Sequence, residues 1–419
     1  MYDVIIIGSG PGGYLAAERL GSEGRKVLLV EKQNLGGTCL NIGCMPTKSL
    51  LNSAKLYLHA KEGAQFGVHA EGVSFNFSEM MAWKEKTVQT LCAGVASLMK
   101  KYKVELIYGT AVLEVKGASR AVRIIEGEQA GSIHEARSIL IAAGSVPVMP
   151  PIPGAKDNPK VLDSTALLSV KDVPKSLCII GGGVIGMEFA SLFSSLGSQV
   201  SVIEMLEEII PPMDKDHAAL MRRSLKTVKF CLGSKVTRIE DGKVFFTDKE
   251  GEGTINAETI LMAVGRRAQT NTWGAKEAGI DIGPKGVNVD DRMRTNISGV
   301  WAAGDVNGKS MLAHSAYRMA EVASADISAF LDGTTSRDFM RYNAIPWVVY
   351  SFPEAAGIGF TEQEALDKGL KIKKTSLPMT ISGRFIAENG IRAPGNIKII
   401  IEEKTEKILG VHILGPYAS

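Results

Sequence analysis

Short apolar runs, each followed by glycine and then by helical periodicity, occur at two places in the chain. Residues 4–7 are all apolar, a helical pattern continues to Leu20, and a second strand over residues 26–30 ends in Glu31. Apolar strands without alternation are typical of parallel sheets covered on both faces. The pattern therefore predicts an α/β fold that begins with a βαβ unit.

The same arrangement recurs further along the chain. Residues 177–180 form an apolar run, a helical pattern reaches Leu196, and a strand over residues 199–203 ends in Glu204. In both copies the acid lies 23 residues after the first glycine of the loop (31 − 8 and 204 − 181). The repeat predicts two dinucleotide-binding domains, the second inserted into the first. Each copy also closes with an apolar strand that ends in glycine, at residues 139–144 and 260–265.

The remaining segments have other periodicities. Residues 79–101 are apolar on one side only, which predicts an amphipathic helix, and residues 112–135 alternate as a small antiparallel sheet would. From Arg341 the pattern predicts a third, α+β region. Further predicted elements are a strand at 299–305, strands at 347–350, 397–401 and 408–415, a helix near 362–368, and a proline-rich crossing at 146–154.

Composition limits the classes of function that remain. The chain has 419 residues, 45% of them apolar, and 48 basic residues nearly balance 45 acidic ones. No basic run indicates nucleic acid or a membrane surface as a partner, and no apolar stretch approaches the roughly 20 residues that span a bilayer. The N-terminus has no signal or transit pattern, so we expect a cytoplasmic protein of two or three domains.

Both glycine loops read G-x-G-x-x-G between a strand and a helix. Such glycines permit a tight turn and let backbone N–H groups approach a pyrophosphate, while the helix N-terminus adds partial positive charge. Glu31 and Glu204 are placed to bind a ribose hydroxyl. Loops that only turn the chain would not explain the repeated spacing of the acid. The glycines are Gly8, Gly10 and Gly13 in the first loop and Gly181, Gly183 and Gly186 in the second.

Charge indicates which dinucleotide each loop would bind. Glu207 and Glu208 follow Glu204, and the next ten residues contain no arginine. A 2′-phosphate would meet like charge there, so NAD(H) is favoured over NADP(H). A pair of cysteines follows Glu31, and a flavin at the first loop would lie near their sulfurs. We therefore expect FAD at the first loop and NAD at the second.

The cysteine pair is Cys39 and Cys44, within residues 36–48. Two thiols at C-x4-C can close a small disulfide, whereas metal sites usually pair cysteines at C-x2-C and need a second pair or histidines. Taken alone, the two cysteines could be buried small residues. Five cysteines in the chain are too few for a framework of structural disulfides, which favours a redox role.

Taken in order, the motifs resemble the flavin-dependent disulfide reductases, the class I pyridine nucleotide-disulfide oxidoreductases, and among them the dihydrolipoamide dehydrogenases most closely. The resemblance covers the whole chain and includes Glu188, Gly304-Asp305 and residues 311–314 and 345–354. It implies that FAD is held by Gly8, Gly10, Gly13, Glu31, Gly37, Thr38, Lys48, Asp305 and Ala313. It implies that NAD is held by Gly181, Gly183, Gly186, Glu204 and Gly265, and further cofactor-binding candidates are Ala111, Gly144 and Val236.

The resemblance also implies a mechanism. Dihydrolipoamide would attack a Cys39–Cys44 disulfide at Cys39, the Cys44 thiolate would lie against the flavin, and FADH2 would give hydride to NAD⁺. Lys48 would pair with Glu188 near the reactive nitrogen of the flavin, where a cation stabilises negative charge. The implied partners are a second copy of the chain, in a homodimer, and the lipoyl domains of 2-oxo acid dehydrogenase complexes.

One part of the family pattern is missing. The family takes its base from a His-Glu pair near the C-terminus, contributed by the partner subunit, and this pair would lie beyond Ser419. We therefore expect that the chain to Ser419 represents an incomplete dimerisation domain. His412 is interpreted as a structural or surface histidine. His314 is a residue expected to line the flavin site but a poor substitute base.

Two other interpretations stay open at this point. Flavin disulfide reductases for glutathione, trypanothione or mercuric ion generally prefer NADPH, against which Glu204 argues. A non-catalytic flavoprotein subunit of a large complex is an alternative from a different class. The predicted domain limits are 1–147 and 271–340 for the two parts of the FAD-binding domain, 148–270 for the NAD-binding domain and 341–419 for a truncated interface domain.

Overall fold

The computed structural model describes residues 1–117 and 119–419. The chain divides into two compact units, each assembled from three separate segments. The first comprises Met1–Pro46, Glu85–Val146 and Arg266–Tyr342, and the second comprises Thr47–Lys84, Pro147–Gly265 and Asn343–Ser419. The four predicted domain segments stay a prediction.

The elements before residue 148 begin with the predicted strand, helix and strand. They are β1 (Tyr2–Ile7), α1 (Pro11–Ser22), β2 (Val27–Glu31), α2 (Gly37–Asn41), α3 (Cys44–Glu62), α4 (Phe77–Lys101), β3 (Glu105–Lys116), β4 (Ser119–Gly127), β5 (Ile133–Ile141) and β6 (Ser145–Pro147), with a 3-10 turn at Gly63–Phe66.

The next segment repeats that order. It contains β7 (Val161–Leu162), α5 (Ser164–Leu167), β8 (Ser176–Ile180), α6 (Val184–Ser195), β9 (Gln199–Ile203), α7 (Lys215–Ser224), β10 (Val228–Cys231), β11 (Lys235–Glu240), β12 (Lys243–Asp248), β13 (Gly251–Asn256) and β14 (Thr259–Met262).

The last part of the chain completes the first unit and then forms the C-terminal region. Its elements are β15 (Arg266–Ala268), β16 (Val300–Ala302), α8 (Ala313–Leu331), β17 (Trp347–Val349), β18 (Glu354–Gly359), α9 (Glu362–Asp367), β19 (Ile372–Pro378), α10 (Gly383–Asn389), β20 (Asn396–Glu402) and β21 (Ile408–Gly415), with 3-10 turns at Asp305–Asn307, Tyr342–Ala344 and Met379–Ile381.

A parallel sheet in the order β3-β2-β1-β5-β16 forms the centre of the first unit. Its inner strands are apolar because both faces are covered: Ile5, Ile6, Leu28 and Leu29 have no exposed surface. Burial of each such side chain contributes about 1.5–3 kcal/mol. The strand register brings the ends of β1 and β2 to one edge, where the first glycine loop begins.

The predicted antiparallel pairing over residues 112–135 is present, but it does not form a separate sheet. The strands β3 and β5 run beyond the parallel sheet, and their outer parts pair antiparallel with β4. The difference arises because β3 has 12 residues and β5 has 9, longer than the parallel sheet requires.

The second unit contains a matching parallel sheet, in the order β10-β9-β8-β14-β7, and a three-stranded antiparallel sheet, β11-β12-β13. The C-terminal region adds a five-stranded antiparallel sheet in the order β17-β18-β21-β20-β19. The architecture is thus two Rossmann-like folds followed by an α+β region, as the sequence pattern predicts.

Of the two interpretations given for His412, a structural or a surface histidine, the structure supports the structural one. His412 lies on β21 between Gly357 and Lys398 of the neighbouring strands, and none of its surface is exposed. Its Nε2 atom lies 2.9 Å from the carbonyl oxygen of Phe360. His412 is buried because successive side chains of β21 point to opposite faces of the sheet, and His412 lies on the packed face.

Candidate functional site

The three glycines of the first loop have different surroundings. Gly8 has φ +98°, and a Cβ there would lie 2.4 Å from the Ala142 carbonyl oxygen, while a Cβ at Gly13 would lie 1.8 Å from the Gly8 oxygen. At Gly10, the N-cap of α1, the nearest atom to a Cβ would be the Gly37 Cα at 3.9 Å. Packing therefore requires the outer two glycines, whereas Gly10 leaves open space before a helix N-terminus.

The second loop has the same division. Gly181 has φ +110° and a Cβ would lie 2.5 Å from the Ala263 oxygen, and a Cβ at Gly186 would lie 2.1 Å from the Gly181 oxygen. Gly183 is the N-cap of α6, and no atom lies within 4 Å of a Cβ built there. Each loop thus offers open space at a helix N-terminus, which fits a dinucleotide pyrophosphate.

The two acids also make equivalent contacts. Glu31 accepts hydrogen bonds from the Ser9 amide at 2.9 Å, the Ser9 hydroxyl at 2.6 Å and the Gln33 amide at 2.8 Å. Glu204 accepts from the Gly182 amide at 2.6 Å and the Leu206 amide at 2.8 Å. These contacts fix each carboxylate beside its glycine loop. Because a carboxylate has about four acceptor positions, each acid retains capacity for ribose hydroxyls.

The cysteine stretch consists of two helices of the chain in succession. Cys39 lies in α2 and is 9% exposed, and Cys44 is the first residue of α3, a helix of 19 residues. The N–H groups at a helix N-terminus stabilise a thiolate. Thr38 belongs to α2, and Gly37, its first residue, lies against the glycine loop: a Cβ there would be 2.6 Å from the Gly10 Cα.

A third thiol contacts the same stretch, which the sequence analysis did not predict. The Cys92 sulfur, on α4, lies 3.2 Å from the Leu35 carbonyl oxygen and 3.4 Å from Asn41 Oδ1. The amide nitrogen of Asn41 in turn donates to Leu35 O at 2.8 Å and Gly37 O at 3.0 Å. Burial raises the pKa of the Cys92 thiol, so it is a packing residue of the α2 segment.

Lys48 and Glu188 are brought together within the second unit. The Lys48 Nζ atom lies 4.0 Å from Glu188 Oε1 and 4.0 Å from the centroid of the Tyr350 ring. The Tyr350 amide donates to the same Glu188 oxygen at 3.1 Å. Burial raises the pKa of Glu188, and Lys48 and the amide oppose that rise. Tyr350, which contacts both residues, was not among the predicted site residues.

Asp305 is the first residue of a 3-10 turn, and its side chain contacts a serine that is distant in sequence. The N-cap of the 3-10 turn is Gly304, and the Asp305 carboxylate accepts a hydrogen bond from the Ser145 hydroxyl at 2.5 Å. Arg266 donates to Ser145 Oγ and to the Ser145 carbonyl oxygen, both at 2.8 Å.

The other predicted cofactor residues lie at element ends or in packed sheets. Ala313 is the first residue of α8, His314 follows it and is exposed, and Gly144 and Gly265 follow β5 and β14. Ala111 and Val236 are packed with apolar clusters of their own units. The cofactor roles of all these residues stay predictions.

The chain belongs to the pyridine nucleotide-disulphide oxidoreductases. The family model of that description matches residues 2–320, and the model of its dimerisation domain matches residues 345–419. The cofactors are accordingly FAD and NAD(H). In the described part of the chain, none of the helices is both long and apolar enough to cross a membrane.

The chain is similar over its whole length to proteins named dihydrolipoyl dehydrogenase. It is 35% identical to that of Geobacillus stearothermophilus and 38% identical to that of Thermus scotoductus, which it covers to 87% and 88%. A solved structure described as the Cu(II) complex of the HOCl-induced flavoprotein disulfide reductase RclA from Escherichia coli is 29% identical, with TM-score 0.85 and 90% of that chain covered. LpdA from Mycobacterium tuberculosis shares the fold, with TM-score 0.88 at 23% identity, over all of this chain and 91% of its own.

Proposed function

We propose that this protein oxidises protein-bound dihydrolipoamide to lipoamide, with NAD⁺ as the final electron acceptor. The observation that supports this substrate most is the full-length similarity to the two dihydrolipoyl dehydrogenases, at 35% and 38% identity against 29% for RclA. The acid Glu204, held beside the second glycine loop, supports NAD⁺ rather than NADP⁺ because a 2′-phosphate would meet its charge.

In this proposal Cys39 and Cys44 take up the electrons of the substrate by thiol–disulfide exchange. A substrate thiolate attacks Cys39 of a Cys39–Cys44 disulfide, a substrate–Cys39 bond forms, and Cys44 leaves as a thiolate. The second substrate thiolate attacks the substrate sulfur of that bond, which closes lipoamide and releases Cys39. The substrate loses two electrons and two protons. The cysteine pair gains the two electrons, one proton passes to the released Cys39 thiolate and the other passes to solvent. The N-terminus of α3 supports the leaving of Cys44 because it stabilises the thiolate.

The remaining site residues would hold the cofactors and control charge. Gly10, Glu31 and the N-terminus of α1 would bind the nucleotide part of FAD, and Lys48 would present a positive charge that Glu188 orients. When bound, the flavin supplies the two-electron chemistry that links the cysteine pair to the nicotinamide. The equivalent residues of the second loop would bind NAD⁺.

The matched dimerisation domain supports a homodimer. Lipoyl domains of 2-oxo acid dehydrogenase complexes are the proposed protein partners, because a protein-bound dithiol is the proposed substrate. The cytoplasmic location expected from the sequence stays a prediction.

A second candidate is a flavoprotein disulfide reductase for another substrate. The fold similarity to RclA, at TM-score 0.85 over the whole chain, supports it. Glutathione or mercuric ion would be substrates of such a reductase. The remaining alternative, a non-catalytic flavoprotein subunit, would turn over neither these substrates nor dihydrolipoamide.

Steady-state turnover of the purified holoenzyme distinguishes these candidates. We expect dihydrolipoamide with NAD⁺ to be turned over faster than oxidised glutathione with NADPH. Cys44→Ser should abolish lipoamide turnover and retain FAD, because the glycine loop does not depend on that thiol. Cys231→Ser, in a strand of the second parallel sheet, is the matched control and should retain activity. Faster turnover of glutathione, or full activity of Cys44→Ser, would contradict the proposal.

A further inference from the structure

Ser145, Arg266 and Asp305 form a connected chain of hydrogen bonds in the first unit. Arg266 Nε donates to Ser145 Oγ at 2.8 Å, and Ser145 Oγ donates to Asp305 Oδ2 at 2.5 Å. A second bond, from Arg266 Nη2 to the Ser145 carbonyl oxygen at 2.8 Å, fixes the guanidinium in one orientation. One arginine therefore donates hydrogen bonds to both the side chain and the backbone of Ser145.

The direction of these bonds follows from the donors available. A guanidinium has only donors, so Ser145 Oγ must accept from Arg266, and its single proton is left to point at the carboxylate. A hydrogen bond to an ionised group is stronger than one between neutral groups. Arg266 thus orients the Ser145 hydroxyl toward Asp305, and the positive charge of the guanidinium also attracts the carboxylate directly.

The electrostatic balance at Asp305 depends on this chain. Burial raises the pKa of the carboxyl group, whereas the Ser145 hydroxyl and the Arg266 charge lower it. Without the two donors, the carboxyl group would retain the cost of burial and lose the two largest interactions that oppose it. Protonation would then begin at a higher pH.

We propose that Ser145 and Arg266 are positioning residues for FAD, which hold Asp305 as an ionised acceptor of fixed orientation for a hydroxyl group of the cofactor. This inference rests on the proposed role of Asp305 as a FAD ligand and adds two residues to it. The two residues belong to the crossing strands β6 and β15, where the chain leaves the first nucleotide fold and returns to it. Neither Ser145 nor Arg266 belongs to a glycine loop, so the loop motifs do not predict their contacts.

The test measures the release of FAD from the purified holoprotein between pH 5 and pH 8, by the rise in free flavin fluorescence. Ser145→Ala and Arg266→Gln should release FAD about tenfold faster at pH 7, the usual effect of losing a hydrogen bond to a charged group. The midpoint of the pH dependence should move upward, since Asp305 would protonate at higher pH. Ser145→Thr, which keeps the hydroxyl, should restore the profile of the unchanged protein.

Arg267→Gln is the matched control, because it removes the same charge from the next residue, whose side chain is exposed. Profiles of Ser145→Ala and Arg266→Gln that coincide with that of the unchanged protein would overturn the inference, as would an equal shift in Arg267→Gln. Asp305→Asn distinguishes a failure of this inference from a failure of the proposed role of Asp305. If it loses FAD while the other two variants do not, only the inference fails; if it retains FAD fully, the proposed role of Asp305 fails as well.

Discussion

At the scale of single residues, the Lys48–Glu188 pair shows how a predicted contact acquires its chemistry from burial. The sequence resemblance predicted the two partners, but it gave no sign that the Glu188 side chain would be only 9% exposed. A carboxylate so placed has a raised pKa because desolvation outweighs the attraction of Lys48 and the Tyr350 amide. Ionisation of the buried Glu188 therefore lowers the stability of the fold, while the pair holds the positive charge of Lys48 in a fixed position.

We predict that Glu188→Gln changes the pH dependence of stability. A carboxyl group whose folded pKa lies above its unfolded value loses stability as pH rises from the unfolded value of about 4.3 through the folded one, by about 1.4 kcal/mol for each unit of difference. The glutamine has no such dependence. The unfolding free energy of the variant should therefore gain on that of the unchanged protein as pH rises, while lipoamide turnover falls.

Urea denaturation of both proteins at several pH values between 4 and 8 measures this difference. Glu207→Gln is the control, because Glu207 is an exposed carboxylate in the same unit. A difference between Glu188→Gln and the unchanged protein that stays constant across that range would contradict the assigned burial effect.

At the scale of elements, the sequence predicted most where local pattern and packing agree. The strands β1, β8 and β9 lie where continuous apolar runs placed them, because such runs are typical of strands in a parallel sheet covered on both faces. The final strand β21 also lies where it was predicted, in an antiparallel sheet. The pattern could not predict that β3 and β5 continue into an antiparallel extension, since pairing beyond a sheet edge depends on partners distant in sequence. The same limit hid the contacts of Ser145 and Tyr350.

The surroundings of the glycines in the second loop predict different effects of two alanine substitutions at the start of α6. Gly183→Ala places a Cβ in open space at a φ of −74°, which any residue adopts, so the fold should keep its melting temperature. The same Cβ would occupy the space before the N-terminus of α6 and should raise the KM for NAD⁺ at least about tenfold. Gly186→Ala is the matched comparison, because its Cβ would lie 2.1 Å from the Gly181 oxygen.

Thermal unfolding and steady-state kinetics distinguish the two glycine variants. Gly186→Ala should lower the melting temperature, whereas Gly183→Ala should alter the KM for NAD⁺ alone. An unchanged KM in Gly183→Ala would show that the pyrophosphate does not approach this glycine.

At the scale of the whole molecule, one buried lysine connects parts of the second unit that are far apart in sequence. Lys398 of β20 is 1% exposed, and its Nζ atom lies 2.8 Å from Asp214, 3.0 Å from Asp216 and 2.6 Å from Glu362. Asp214 is the N-cap of α7 and also accepts the Glu362 amide at 3.1 Å. The C-terminal sheet is thereby fixed to a helix of the NAD-type fold, over a separation of 184 residues that no local pattern marks.

We predict that Lys398→Met destabilises the protein by about 3–5 kcal/mol at pH 7, because it leaves the buried Asp214 carboxylate without its partner. Burial alone would raise the pKa of Asp214, but Lys398 and two backbone amides bring it below its usual value. The stability from this interaction is present above the unfolded pKa and is lost as pH falls through the folded one. The deficit of the variant should therefore shrink at acid pH.

Urea denaturation at pH 7 and at pH 3 measures the effect, and Lys373→Met, which removes an exposed lysine on the neighbouring strand, is the control. Adding Asp214→Asn to Lys398→Met should recover part of the lost stability, since the uncompensated charge is then removed. If the two lysine variants are equally stable, or if the second substitution recovers nothing, charge compensation at Asp214 does not hold the C-terminal sheet on α7.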